Sequence, residues 1–298
     1  MNKNLVRTLT LITILSLLLL VSCIPEEASK GLFYEIESKN TTMYLFGSVH
    51  VGKEEMYPLD SEVEKAFEQA QVLGMELNPK ELDERDIAEQ VLYYAKFHDG
   101  TLATDLIDDE KFYKASDITG VQPEVLNQFK PWYISMTLSN IAVDEAGYSS
   151  NYGVEEYFIN KGQDKEIIGL ETVVDQIATY ELLSEESQVI YFEETLENIK
   201  NTKDQMDELI TFWRQGNSDA FTEMREKALE QAPTPSLEMH HRAMLDERDK
   251  KMAETLHQIL EEDSGQNYFI VVGSMHLVGE NSIVDHLSQK GYKVNEIY

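Results

Sequence analysis

The sequence has little of two things, cysteine and positive charge. One of its 298 residues is cysteine, so no disulfide can form within the chain, and its stability must come from packing or from a bound ligand. Lys and Arg number 25 against 55 Asp and Glu, which gives a formal net charge of −30. So acidic a surface repels nucleic acid and anionic lipid headgroups, and it tolerates cations, including a metal. We therefore expect no nucleic-acid partner.

The single cysteine, Cys23, ends a long apolar segment at the start of the chain. Lys3 and Arg7 form a basic beginning, an apolar run over 9–21 follows, and a small residue stands just before the cysteine. This layout predicts a lipoprotein signal peptide over 1–22 that is cleaved before Cys23, whose thiol then receives lipid. The alternative is an uncleaved anchor helix. In both cases we expect the chain on the extracytoplasmic face of the cell membrane, attached to the lipid bilayer.

The rest of the chain predicts a short tether over 23–31 and a single α/β domain over 32–298. Apolar runs with strand character alternate with helical spacing, which predicts a central, mostly parallel sheet whose carboxyl ends carry the active site. These runs lie at 43–46, 71–75, 166–170 and 268–272, with two further strands at 32–37 and 292–297. A helix over 60–71 joins the first two runs into a βαβ unit. The intervals 79–162 and 172–263 predict long helical insertions.

The most specific signal is a phrase, Gly-Ser-x-His, that occurs at 47–50 and again at 273–276. Each copy follows a strand-like apolar run. A histidine placed just past a buried strand, after a tight glycine turn, is how α/β enzymes present a ligand or a base. A single copy is more simply explained as an ordinary turn, whereas the matched pair favours two halves of one site.

Four polar residues follow the carboxyl ends of four predicted parallel strands: His50, Glu76, Glu171 and His276. Two imidazoles and two carboxylates suit Zn, Mn, Fe or Co, and catalytic sites of this kind keep one position open for water. A carboxylate that does not bind the metal could act as the general base. Two alternatives stay open: hydrolysis without a metal, in which a histidine deprotonates water, and a pocket that binds without catalysis.

Arg248 is the cation of most interest, because it lies on a predicted helix that leads toward the strand before His276. Its planar guanidinium could hold a carboxylate or a carbonyl oxygen of a substrate. An ion pair with Asp or Glu one helical turn away explains it equally well.

These residues fall in segments that resemble the TraB/GumN family, whose relatives include the Tiki proteins, membrane-tethered metal-dependent proteases. The resemblance implies an α/β fold with His50, His276 and Glu76 at the active centre, and an arginine from the late helix, Arg248. The matching segments keep the family's order and cover nearly the whole chain after the signal: 45–52, 75–77, 130–132, 153–155, 170–172 with Gln176, 245–252, 272–279 and 291–294.

Two positions depart from the family's usual pattern. The chain has Asp249 where the family usually has Asn, and Glu155 where an Asp is frequent. Both exchanges keep an oxygen acceptor, while Asp249 adds a charge. The family is functionally uneven: proteolysis is attributed to the Tiki branch, and other members are described as shutting down peptide pheromone signals.

Together, the residues and the resemblance predict a metal-dependent hydrolase that acts on peptides or small amides. A divalent ion (Mn, Co or Zn) is expected on the two histidines of the repeated phrase and on Glu76. Glu171 or Glu155 is expected to orient or deprotonate water, with Arg248 holding the substrate and Asp249 beside it as a further substrate-binding position. The alternative is a non-enzymatic protein that binds or sequesters a signal peptide in the same pocket.

Overall fold

The computed structural model describes residues 28–298. The predicted signal peptide at 1–22 and the predicted lipid attachment at Cys23 lie outside the described residues. None of the described helices combines the length and the apolar character that crossing a bilayer requires.

Of the predicted tether, the described part is residues 28–31, and it is bonded to the domain. The Ser29 N–H donates to the Pro58 carbonyl at 3.0 Å, and the Gly31 N–H donates to the Trp213 carbonyl at 3.1 Å. Ser29 is buried. The folded body of the described chain therefore begins before the first strand.

One six-stranded sheet organises the domain, with the strands in the order β4-β3-β5-β2-β1-β6. The strands are β1 (Leu32–Glu37), β2 (Thr42–Ser48), β3 (Val72–Met75), β4 (Glu166–Gly169), β5 (Asn267–Gly273) and β6 (Val294–Glu296). Strand β5 runs parallel to both β2 and β3, and β4 runs parallel to β3. Strands β1 and β6 add an antiparallel edge. The predicted α/β class with a mostly parallel sheet is confirmed.

The predicted βαβ unit has parallel strands, but they are not neighbours, because β5 lies between β2 and β3. The linking helix, α1 (Ser61–Gln69), begins where Asp60 accepts a hydrogen bond from the Glu62 N–H at 2.8 Å. Strand β5 thus has a partner on each side, and its apolar residues are buried, as expected of a central strand in a parallel sheet.

The two long intervals between strands are helical, as predicted. After β3 the helices are α2 (Glu84–Ala95), α3 (Asp109–Thr119), α4 (Pro123–Leu126), α5 (Pro131–Glu145) and α6 (Val154–Lys161). After β4 they are α7 (Val173–Ile177), α8 (Glu185–Asn198), α9 (Thr202–Gln215), α10 (Ser218–Glu230), α11 (Pro235–Arg242) and α12 (Arg248–Glu262). Helix α13 (Ile283–Gln289) follows β5. Several of these helices begin at a proline, which suits the first helical position because its missing N–H has no partner there.

The main core is built on aromatic side chains between the sheet and its helices. Phe269 of β5 lies 4.8 Å from Phe158 of α6 and 5.4 Å from Phe67 of α1, measured between ring centroids. Phe46 of β2 meets Phe158 at 5.6 Å and Trp213 of α9 at 6.0 Å. These contacts fix α6 and α9 against the sheet, close to the carboxyl end of β2.

Candidate active site

The two copies of Gly-Ser-x-His are neighbours in the sheet. Strands β2 and β5 pair in register so that Ser48 stands beside Gly273. The Ser274 hydroxyl donates to the Ser48 carbonyl at 2.9 Å. A Cβ on Gly47 would lie 2.9 Å from the Ser274 hydroxyl oxygen, so the close approach of the two turns requires glycine. Phrases that are far apart in the chain therefore form one structural unit.

The loop after β2 carries His50 to the start of helix α6. The Val154 N–H donates to the Val49 carbonyl at 3.2 Å, and a Cβ on Gly153 would collide with the His50 carbonyl. Glu155 in the first turn of α6 accepts a hydrogen bond from His50 Nδ1 at 2.8 Å and another from the Ser48 hydroxyl. A carboxylate is favourable there because of the helix dipole.

The His50 ring reaches solvent, with 69% of its side chain exposed, while its Nδ1 is held by Glu155. That hydrogen bond, together with the charge of Glu155, raises the pKa of His50 to about 9. Burial raises the pKa of Glu155, but the hydrogen bond and the charge of His50 outweigh it, so the pKa ends below its usual value. Nε2 is the ring nitrogen that faces Gly273, and a metal ion would have to displace its proton to bind there.

His276 has the same arrangement in a buried setting. It lies in a 3₁₀ turn after β5, and its Nδ1 is 2.5 Å from Asp249 Oδ1. Asp249 is fully buried and also accepts from Arg225 Nη1 at 2.6 Å. Arg225 is itself buried and donates further to the Met275 carbonyl at 2.7 Å. The carboxylate and the arginine behind His276 leave its Nε2 to face the site.

Glu76, directly after β3, lies between the two histidines and the arginine of helix α12. Its Oε1 accepts from the Gly273 N–H at 2.8 Å and stands 3.7 Å from His276 Nε2. Its Oε2 accepts from Arg248 Nη2 at 2.8 Å. Burial raises its pKa, but the charges of His276, Arg248 and His50 together outweigh burial and bring the pKa to about 2. Glu76 is therefore an anion at neutral pH.

Arg248 is held mainly by Glu171. Its Nε donates to Glu171 Oε2 at 2.8 Å and its Nη2 to Glu171 Oε1 at 2.5 Å, a bidentate pair. A π-helical turn, Ala243–Glu247, precedes α12, and within it the Met244 carbonyl accepts from Arg248 Nη1 at 3.0 Å. Of the guanidinium N–H groups, one on Nη1 is left without a bond to a described residue.

The functional groups converge on one point above Gly273. A Cβ placed on this glycine would lie 3.3 Å from His276 Cδ2, 3.4 Å from Glu76 Oε1 and 3.8 Å from His50 Nε2. The three groups surround a cavity of about 440 Å³, to which Glu155 also contributes. Glycine at this position keeps the centre open, because any side chain would project between the three groups.

The structure brings together His50, His276, Glu76, Glu155 and Arg248 around the cavity. The two other predicted residues lie behind it. Glu171 lines a neighbouring cavity of about 620 Å³ and reaches the site through its pair with Arg248. Asp249 contacts His276 and is enclosed by protein, so it is placed to orient the ring rather than to meet a substrate.

Sequence inspection did not reveal Arg225 or the bond from Ser48 to Glu155. Arg225 lies in a strongly charged helix, α10, where an arginine is normally solvated, and its burial depends on how that helix packs. The local sequence around Arg225, an arginine near a lysine among acidic residues, is common on helix surfaces and does not indicate burial. Partners from different helices were therefore hidden from sequence inspection.

The side chains at this centre, two imidazoles and a carboxylate, are of the types that bind divalent metal ions. Each histidine has its Nδ1 held by a carboxylate, which leaves Nε2 as the metal-binding nitrogen and is a usual second layer around metal sites. The 3.7 Å between His276 Nε2 and Glu76 Oε1 is too long for a hydrogen bond and slightly longer than the roughly 3.4 Å that separates two ligands of one tetrahedral ion. Within residues 28–298, no three such side chains stand close enough to hold an ion without adjustment. An ion there would require His50, whose ring is exposed, to approach the other two groups.

The fold and site define an α/β protein with a histidine–carboxylate centre at the carboxyl ends of its parallel strands. The model of the TraB/PrgY/gumN family matches residues 32–296, and the chain belongs to this family.

The relatives of the chain include two that match it over different extents. The chain is 23% identical to the uncharacterised protein YbaP of Escherichia coli (strain K12) over 251 residues, which cover 82% of this chain and 87% of the relative. It is 20% identical to an uncharacterised protein of Treponema pallidum (strain Nichols) over 161 residues, 53% of this chain and 48% of that protein. No solved structure gives a significant match.

Proposed function

We propose that the protein is a metal-dependent hydrolase that cleaves peptide or other small amide bonds. One observation carries the proposal: His50, His276 and Glu76 approach the same point above Gly273, and each histidine is oriented by its own carboxylate. An ordinary pair of turns would not need two such carboxylates. Membership of the family is compatible with the proposal but leaves the activity open.

In the proposed site, His50 Nε2, His276 Nε2 and Glu76 would hold the ion, which we expect to be Mn, Co or Zn. When bound, such an ion lowers the pKa of a water molecule and polarises a carbonyl oxygen. Asp249 keeps the His276 ring in the orientation that presents Nε2.

Glu155 is the better placed of the two carboxylates expected to act as base. Its Oε1 is occupied by Ser48 and His50, while its Oε2 has no hydrogen-bond partner among the described residues. As a residue that lines the cavity beside His50, Glu155 can accept a proton from water or an N–H from a substrate. Glu171 has the supporting role of fixing Arg248, whose remaining N–H can donate to a substrate carbonyl.

Replacement of the histidines tests the site. In His50→Ala and in His276→Ala we expect loss of both metal retention and peptide hydrolysis with the fold retained, because each removes a metal ligand. Metal content of the purified domain and digestion of a peptide library, with and without chelator, measure these effects. His257→Ala is the matched control, since His257 bonds to the Tyr292 hydroxyl outside the cavity. Full activity in both site variants would refute the assignment.

Glu155→Gln separates catalysis from binding in the same assays. We expect this variant to retain metal and to hydrolyse peptides about 10²- to 10⁴-fold more slowly, the usual contribution of a general base. Peptide that is bound and recovered intact from wild-type protein, without metal, would instead favour the non-enzymatic alternative, a protein that sequesters a signal peptide. Hydrolysis that persists undiminished with chelator would favour metal-free catalysis.

We also propose that the protein acts at the extracytoplasmic face of the cell membrane, held there by lipid on Cys23. The support is the order of a basic start, an apolar run and a cysteine in the sequence. The described domain begins a few residues later, so a lipid at Cys23 would hold the domain close to the bilayer.

A further inference from the structure

Gln176 is the site residue whose role the proposed chemistry leaves open. It lies on the short helix α7 and lines the same cavity as His50 and His276. Its Nε2 donates to Glu76 Oε2 at 3.1 Å and to Glu171 Oε1 at 2.8 Å. The side chain thus bridges the carboxylates that end two neighbouring parallel strands.

These two bonds determine which way the amide group faces. Both carboxylates accept a hydrogen bond from Arg248, and the same oxygens face the Gln176 amide. An amide turned the other way would direct its oxygen at two acceptor oxygens, and no hydrogen bond would form. Both N–H donors of Gln176 are therefore used, and its carbonyl oxygen, Oε1, must point elsewhere.

Within residues 28–298, Oε1 receives no hydrogen bond, and it is not among the enclosed polar atoms that lack a partner. An unbonded acceptor that is still accessible, on a residue that lines the cavity, is available to a ligand there. The two hydrogen bonds donated by Nε2 hold the amide group, and therefore Oε1, in one orientation. Such an acceptor is matched by an N–H donor.

We propose that Gln176 Oε1 accepts a hydrogen bond from a backbone N–H of the bound substrate, and that the site thereby selects amides over esters. This inference rests on the proposed function, because it concerns the substrate of the same site. An ester places an oxygen where the N–H would be and leaves the Gln176 oxygen facing another acceptor. Sites built to bond an N–H discriminate strongly against analogues that lack it.

A double-mutant cycle tests the bond. The background is Glu155→Gln, in which turnover is slow, and the probe is the fluorescein-labelled octapeptide from the library that this protein binds most tightly. Analogues of the probe have one backbone N–H at a time replaced by oxygen. We expect one replacement to weaken binding about tenfold, and to have no effect once Gln176→Met is added, because the acceptor is already absent. Gln128→Met is the control, since Gln128 is bonded to the Glu124 carbonyl away from the cavity.

The cycle separates a binding role from a merely structural one. If Gln176→Met only displaced Glu76, it would weaken the peptide and every analogue by the same factor, and that result would overturn the inference. The inference would also be overturned if none of the library peptides bound to the protein. Kd is measured without turnover, so the two proposals can fail separately. If one N–H replacement loses its effect when Gln176→Met is added, but the protein cleaves no peptide, the inference stands and the proposed hydrolase activity is refuted.

Discussion

The two histidines of the repeated phrase have the same chemical support and opposite environments. His50 is oriented by Glu155 at an exposed loop, and His276 is oriented by Asp249 in the interior. A buried carboxylate is costly unless it is paired, and Arg225 supplies that pairing for Asp249. The carboxylate of the buried histidine is therefore supported by a buried arginine, whereas that of the exposed histidine is supported by the Ser48 hydroxyl.

Replacing Arg225 should be strongly destabilising. Arg225→Met leaves Asp249 enclosed without its cation and Asp246 without its closest one, at 2.7 Å. We expect a loss of about 3 to 5 kcal/mol in the free energy of unfolding, the usual cost of breaking a buried pair from one side. Urea unfolding monitored by circular dichroism measures it.

Arg242→Met is the matched control for Arg225. Arg242 also contacts Asp246, at 3.3 Å, but half of its side chain is exposed. Its loss should change the free energy of unfolding by no more than about 1 kcal/mol. Equal changes in the free energy of unfolding in the two variants would show that the burial of Arg225 does not increase its contribution to stability.

At the scale of elements, short helices hold the site residues in place by packing on one another. Helix α11 meets the 3₁₀ turn Ala178–Leu182, which follows α7, through one buried histidine. His240 donates from Nδ1 to the Thr179 carbonyl at 3.0 Å, and its ring lies 4.7 Å from that of Tyr180. The turn thereby fixes the end of the helix that carries Gln176.

Because of His240, the free energy of unfolding should decrease in acid. Burial, with a smaller effect from the charge of His241, lowers the pKa of His240 from 6.5 to about 4. Between these values the unfolded chain binds a proton that the folded chain does not, so stability falls as pH decreases from about 6.5 and the loss is complete near pH 4. The loss attributable to this group is about 3 kcal/mol.

His240→Gln isolates that contribution, because glutamine can donate to the same carbonyl and does not titrate. Urea unfolding at pH 7 and at pH 4.5 should show a smaller decrease for the variant than for the wild type. Parallel decreases in the two proteins would show that His240 does not contribute to the pH dependence.

At the scale of the whole molecule, a strongly acidic domain is expected beside a membrane. Anionic headgroups repel such a surface, so the domain has no electrostatic attraction to the bilayer and its attachment must come from the start of the chain. We therefore expect membrane retention to depend on the proposed lipid on Cys23.

Cys23→Ala should therefore remove the protein from the detergent phase of a Triton X-114 partition, and mass spectrometry should find no lipidated N-terminal peptide. Ser22→Ala, next to it, should leave both unchanged, because a small residue is kept. A Cys23→Ala protein that stays with the membrane would support an uncleaved anchor helix instead.

Local patterns were enough to predict the strands, the helical insertions and, around the cavity, His50, Glu76 and His276, whereas Glu155 was expected from the family resemblance alone. The reason is that hydrophobic periodicity and glycine turns are local, and the carboxyl ends of parallel strands meet at one edge of a sheet. The order of the strands was not predictable, since β5 enters between β2 and β3 from the far end of the chain.

The sequence by itself determined that two Gly-Ser-x-His turns follow buried strands, and from this we predicted that His50 and His276 belong to one site. Only the tertiary structure decided what lies behind them. It placed Asp249 against His276 and directed Arg248 toward Glu171, because the partner of a charged side chain depends on which helices pack together. Packing over long sequence separations, rather than local pattern, assigned each carboxylate its neighbour.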